Sequence, residues 1–208
     1  MASYTNEYNT HAPVLFSAVK YLQTKKDSIN IVEMGCGQGS TPLLRSLIRD
    51  TDRLWSLESK PDWFDAVSKS FESMHNHSIQ LMDLTNTNNL KNIADNIDSI
   101  DLLFCDSSPW ESRTLGLDVL GPKSTICLVH DVDYYPHNKI WGTEKNQIIA
   151  KFAVGERDYS DRFRYWAEVF PETFYADTGP PTLIGSQTDS TIISLIYKDC
   201  FIVNYSRA

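Results

Sequence analysis

Apolar positions along the first 130 residues follow two alternating rhythms. In "PVLFSAVKYL" (13–22), Leu15, Ala18, Val19 and Leu22 recur at helical spacing, and the continuous apolar run "INIVEM" follows. The pair predicts a helix over about 12–25 and then a strand. The beat repeats. "TPLLRSLIRD" reads as a helix capped by Thr41, with Pro42 in its first turn, and "RLWSLE" reads as a strand. "PDWFDAVSKSFESM" and "NNLKNIADNI" are helical, "SIQLMD" and "IDLLFCD" are strand-like, and a weaker helix near 111–120 leads into the strand "STICLVHD". Strands this short and apolar, separated by helices, are those of a parallel sheet covered on both faces. A helix is expected near 143–154. Beyond it the chain becomes aromatic and turn-rich, which predicts an antiparallel hairpin closing the sheet edge, with "TIISLIY" as its clearest strand. The fold class is therefore α/β: a doubly wound, mostly parallel, seven-stranded sheet with a C-terminal antiparallel hairpin.

Composition narrows the function classes. The 208 residues suit one domain spanning 1–208, and 27 acidic against 19 basic residues give a formal charge of −8. That balance argues against a nucleic-acid partner, since no basic patch is available to meet phosphates. The opening "MASYTNEYNTHAP" is too polar for a signal peptide, and no apolar run approaches the roughly 18 residues of a membrane span. A soluble, cytoplasmic protein with no membrane partner is expected. Cys36, Cys105, Cys127 and Cys200 lack the spacing of a zinc site and read as reduced thiols, two of them in strand-like runs.

The stretch "NIVEMGCGQGST" (30–41) is the first to carry chemistry. A strand that feeds a Gly-rich turn and then a helix offers backbone N–H groups and a positive helix end to a ligand lying against the backbone. Here Gly35, Gly37 and Gly39 alternate, and Glu33 stands before them. A carboxylate at that turn repels a pyrophosphate and suits a ligand with a positive amino group. Cys36 and Ser40 share the turn. The second strand ends in Glu58, about 20 residues past the last glycine, the usual place for an acid that holds ribose hydroxyls. The third ends in Asp83, which can meet an adenine amino edge. A cationic amino acid, a ribose and an adenine together make S-adenosylmethionine.

Residues 30–131 resemble the class I S-adenosylmethionine-dependent methyltransferases. "VEMGCGQGS" is similar to the E/DxGxGxG motif of that family, "LWSLE" to the strand carrying its ribose acid, and "IQLMD" to its adenine strand. The resemblance implies a Rossmann-like domain with a cofactor half over about 30–106 and a substrate or closing half over about 107–208.

A second constellation is "DLLFCDSSPWESR" followed by "LVHDVDYY". Asp106 ends the fourth strand, and His130 and Asp131 end the fifth, so all three project from the carboxyl edge of the sheet, with Asp106 near cofactor and acceptor alike. The arrangement resembles small-molecule O-methyltransferases of the catechol type and the magnesium-dependent sugar type, whose fifth strand ends in Asp-Asn or Asp-Asp. His130 departs from that pattern. Two readings are open. Asp106, His130 and Asp131 hold magnesium or manganese, which acidifies an acceptor hydroxyl, or His130 is a general base and no metal is needed.

Trp110, Arg113, Tyr134 and Tyr135, with His137 and Trp141, are candidates for the substrate wall. No Asn-Pro-Pro-Tyr or Pro-Cys signature of nucleic-acid methylation is present. The acceptor is expected to be a small polar molecule such as a sugar, a nucleotide sugar or a phenol, and the chain is expected to pair as a homodimer. A noncatalytic binding protein of the same fold and an NAD-dependent oxidoreductase are the alternatives.

Overall fold

The computed structural model describes residues 9–71, 73–132, 159–169, 181–188 and 190–205. Its first helix, α1 (Ala12–Lys25), has Pro13 in the first turn and buries Leu15, Ala18, Val19 and Leu22, the stripe read from the sequence. The order continues with β1 (Asn30–Met34), α2 (Ser40–Leu47), β2 (Arg53–Glu58), α3 (Pro61–Ser70), β3 (His77–Leu81), α4 (Thr87–Asn96), β4 (Ile100–Cys105), α5 (Trp110–Val119) and β5 (Ser124–His130). After the undescribed 133–158 come β6 (Tyr165–Val169), β7 (Thr182–Ser186) and α6 (Ser190–Tyr205). The helix expected near 143–154 lies outside the described residues.

The seven strands form one sheet in the order β3-β2-β1-β4-β5-β7-β6. The first five run parallel, and β7 pairs antiparallel with both β5 and β6. Side chains alternate to two cores. Leu102 and Phe104 of β4 join α1, α2 and α6 on one face, whereas Leu103 and Cys105 join α4 and α5 on the other. That double burial is why the strands read as unbroken apolar runs.

Two local readings need correction. "TIISLIY" is not the hairpin strand; it lies in α6, where Ile192, Ile193 and Ile196 are buried at helical spacing while Ser194 and Leu195 face solvent. A short β-branched run has no period of its own, and packing against α1 selects the helix. The hairpin partners are instead Tyr165–Val169 and Thr182–Ser186. Thr41, read as a cap, sits inside α2, because the helix already begins at Ser40 with Gly39 before it. Among the described residues no helix is long and apolar enough to cross a membrane.

The topology fixes where function can sit. The strand order reverses at β1 and β4, so a crevice opens at their carboxyl ends. α1 connects to the start of β1 through only a few residues and packs on the sheet, so its N-terminal end lies at that same carboxyl edge.

Candidate active site

The Gly-rich turn is held by carboxylates whose partners are mostly neutral. Glu33 is fully buried and accepts hydrogen bonds from Thr41 Oγ1 (3.0 Å to each oxygen) and Ser56 Oγ (2.5 Å). Burial raises its pKa to about 7, while the hydroxyls of Ser40, Ser56 and Thr41 oppose the rise. Thr41 Oγ1 also accepts from the Gly37 N–H at 3.1 Å, so Glu33 braces the turn from beneath. Glu58 accepts from the N–H groups of Cys36, Ser59 and Lys60, each at 2.8 Å. A carboxylate offers about four acceptor positions, so Glu58 retains one for a ligand hydroxyl.

Two glycines are required for different reasons. Gly35 has φ +91°, and a Cβ there would stand 2.6 Å from the backbone oxygen of Asp106. It lets the β1 turn lie directly against the end of β4. Gly37 meets no such demand from the described residues: among them a Cβ would meet only Ser40 Oγ at 3.6 Å and Gly39 N at 3.9 Å. The space beside it is therefore open to a ligand. Asp83 lies exposed beyond β3, where Oδ1 accepts from Thr85 N (2.9 Å) and Thr85 Oγ1 (2.6 Å).

Directly beside the turn is a charged cluster built around Arg113. The residue is 3% exposed, in the first turns of α5, and its hydrogen-bond partners come from strand ends or the loops after them. Nε donates to Ser107 O (2.8 Å) and Nη1 to His130 O (2.5 Å). Nη2 reaches Asp106 Oδ1 (2.9 Å) and Asp131 Oδ2 (3.3 Å), and the guanidinium lies 4.1 Å from the centre of the Trp110 ring. His130 Nδ1 faces the same carboxylates, at 3.4 Å from Asp106 Oδ1 and 3.1 Å from Asp131 Oδ1. Its Nε2 lies 2.9 Å from Thr10 Oγ1.

Asp131 reaches both partners from a left-handed backbone, φ 55°, a conformation that costs a non-glycine residue energy and is found where a side chain must be aimed. Burial alone would lower the His130 pKa, but Asp131 and Asp106 outweigh it and raise it above the ordinary value. Burial likewise pushes Asp106 up, yet His130 and Arg113 prevail and hold its carboxyl below the usual range.

Asp106, Arg113, His130 and Asp131 are thus brought together. Arg113, read as substrate wall, is instead the clasp of the cluster, and Trp110 packs on it. Tyr134, Tyr135, His137 and Trp141 lie outside the described residues. Sequence reasoning missed Thr10 and His11. His11 is 2% exposed, with its ring 5.1 Å from Phe104 and edge-on to His130 at 4.7 Å. The signal was topological: a helix leading directly into β1 begins at the carboxyl edge, so the residue before its first turn sits over the strand ends.

The structure is similar to that of an assigned methyltransferase from Thermobifida fusca YX, with a TM-score of 0.60 and 13% identity over 88% of this chain and 82% of that one. An assigned O-methyltransferase from Klebsiella pneumoniae superposes with a TM-score of 0.56 at 13% identity, covering 87% of each chain. The chain has the class I methyltransferase fold. An rRNA methylase from Streptococcus thermophilus shares it too, with a TM-score of 0.51 and 10% identity over 90% of this chain and 100% of that one. At such identities the likeness establishes the fold alone, and one fold serves acceptors of different size. No protein-family model and no curated protein matches the sequence.

Proposed function

We propose that this chain is an S-adenosylmethionine-dependent methyltransferase that acts on a hydroxyl of a small polar acceptor, such as a sugar or nucleotide sugar. One observation carries the reading. The open Gly37 turn and the Asp106–Arg113–His130–Asp131 cluster touch each other through Gly35, where no side chain fits. A cofactor on the turn therefore presents its methyl group next to the cluster. Glu58, with one acceptor position spare, suits a ribose hydroxyl, and Asp83 Oδ2 is available beyond β3 for an adenine edge.

The sulfonium already activates its methyl group, so the protein must align an acceptor oxygen behind it and accept a proton. Magnesium held by Asp106 and Asp131 does not fit. The Arg113 guanidinium already bridges the two carboxylates, and the third group is an imidazole where magnesium prefers oxygen. His130 is the better proton acceptor. Asp106 and Asp131 orient its Nδ1, and Nε2 meets a hydroxyl, that of Thr10, at hydrogen-bond distance, as it would meet an acceptor.

The test is formation of S-adenosylhomocysteine from S-adenosylmethionine against a panel of sugars, nucleotide sugars and phenols. We expect kcat/KM to rise with pH through a single deprotonation above the free imidazole value of roughly 6.5, and kcat to fall about 10²- to 10⁴-fold in His130→Ala. A flat pH profile together with an active His130→Ala variant would reject the base role. Thermal stabilisation by NAD but not by S-adenosylhomocysteine would overturn the cofactor assignment in favour of an oxidoreductase. Stabilisation by S-adenosylhomocysteine with no turnover on any acceptor would favour a noncatalytic binding protein.

A further inference from the structure

One buried group has no part in this scheme. Both ring nitrogens of His11 are shielded from solvent and have no hydrogen-bond partner, although an imidazole deprived of water loses free energy unless something replaces it. The ring is not there merely to fill space, since a leucine or phenylalanine would cover Phe104 without stranding two polar atoms. What faces His11 is the rest of a ligand set. One donor atom each from His11, Asp106 and His130 lie within 4.8 Å of one another.

We propose that His11, Asp106 and His130 bind a first-row divalent cation of the zinc, cobalt(II) or iron(II) kind. Two imidazoles and one carboxylate match the preference of these ions for mixed nitrogen and oxygen ligands and leave positions open for water or an acceptor oxygen. The same set is poor for magnesium. Drawing the three donors onto bonds of about 2.0–2.1 Å requires side-chain shifts of about an ångström, small for residues joined only through side-chain rotation. Arg113 does not block the ion, because both it and His130 contact Oδ1 of Asp106, and Oδ2 remains. Asp131, paired with Arg113 from its left-handed backbone, is excluded from the ligand set. Metal and proton compete for His130, so the metal-bound state is distinct from the base form invoked for methyl transfer.

The experiment uses the full chain stripped of metal by chelator and dialysis, titrated with cobalt(II) and followed by visible d–d absorption and calorimetry. Wild type should take up one cobalt(II) that zinc displaces, with nitrogen-type bands. His11→Ala and His11→Gln should each weaken uptake by more than about 10-fold, and Asp65→Asn, an exposed carboxylate on α3 paired with Lys69, should leave it within about 3-fold. The glutamine variant guards against loss of fold, which thermal unfolding reads separately. No cobalt uptake by folded wild type overturns the proposal, as does uptake retained in both His11 variants. S-adenosylhomocysteine binding is measured on the same samples. Its failure alone would reject the methyltransferase reading and leave the metal site standing.

Discussion

The two halves of the pocket stabilise their carboxylates in opposite ways. At the β1–β2 end, Glu33 and Glu58 are met by hydroxyls and backbone N–H groups, and no cation touches either among the described residues. At the β4–β5 end, Asp106 and Asp131 share the Arg113 guanidinium and the His130 ring. The first half thus holds its carboxyls without a counter-ion, so that Glu33 resists ionising until a cationic ligand arrives, whereas the second is nearly balanced before anything binds. A buried charge can be tolerated through dipoles or through counter-charge, and only the former leaves an attraction unspent.

The contrast can be broken most severely at Arg113. Arg113→Met leaves Asp106 and Asp131 without their cation and should cost about 3–5 kcal/mol in urea unfolding, with partial recovery on adding Asp106→Asn. A loss under 1 kcal/mol would mean that water reaches the cluster and that the balance is illusory. The glycines sharpen the comparison next. Gly35→Ala forces a Cβ onto the Asp106 carbonyl at positive φ and should cost about 2–3 kcal/mol of stability. Gly37→Val should cost less than about 1 kcal/mol yet abolish S-adenosylhomocysteine binding in calorimetry. Unchanged affinity there would remove the open turn as the cofactor site.

The smallest effect is a pH signature of the uncompensated half. Glu33 has a folded-state pKa near 7 against 4.5, so between those values the native state holds more protons than the unfolded one. Stability should therefore fall as pH rises through that window, by at most about 1.4 kcal/mol per pH unit, and level off above it. Glu33→Gln should flatten the slope. An equally steep slope in that variant would place the titration elsewhere.

How much of this was legible in the sequence follows the same division. The Gly-rich half was readable because its parts are local: Gly35, Gly37 and Thr41 lie within a few residues of Glu33, and Glu58 ends the next strand. Its strands announced themselves through burial on two faces. The charged half was readable only as far as strand ends could be counted, which placed Asp106, His130 and Asp131 together. That Arg113 would turn inward between them depends on the angle at which α5 leaves β4, and no spacing encodes that angle. His11 was hidden by distance along the chain. The misassigned "TIISLIY" failed for a related reason, since α1, some 170 residues away, decides which of its isoleucines are buried.

The 9–11 segment meets the rest of the protein at widely spread points: Asn9 on Gly39, His11 on Phe104, and Thr10 on His130. During synthesis these residues leave the ribosome before all three of these partners, and His130 follows Thr10 by 120 residues. At roughly 5–20 residues per second, Thr10 waits about 6–24 seconds for His130. α1 can pack on the early strands in that interval, and Asn9 and His11 can meet Gly39 and Phe104, while Thr10 still lacks His130. The earliest-made part of the site is therefore the last to be fully seated, and a chain interrupted within β5 carries a finished Gly-rich turn beneath an unfinished roof.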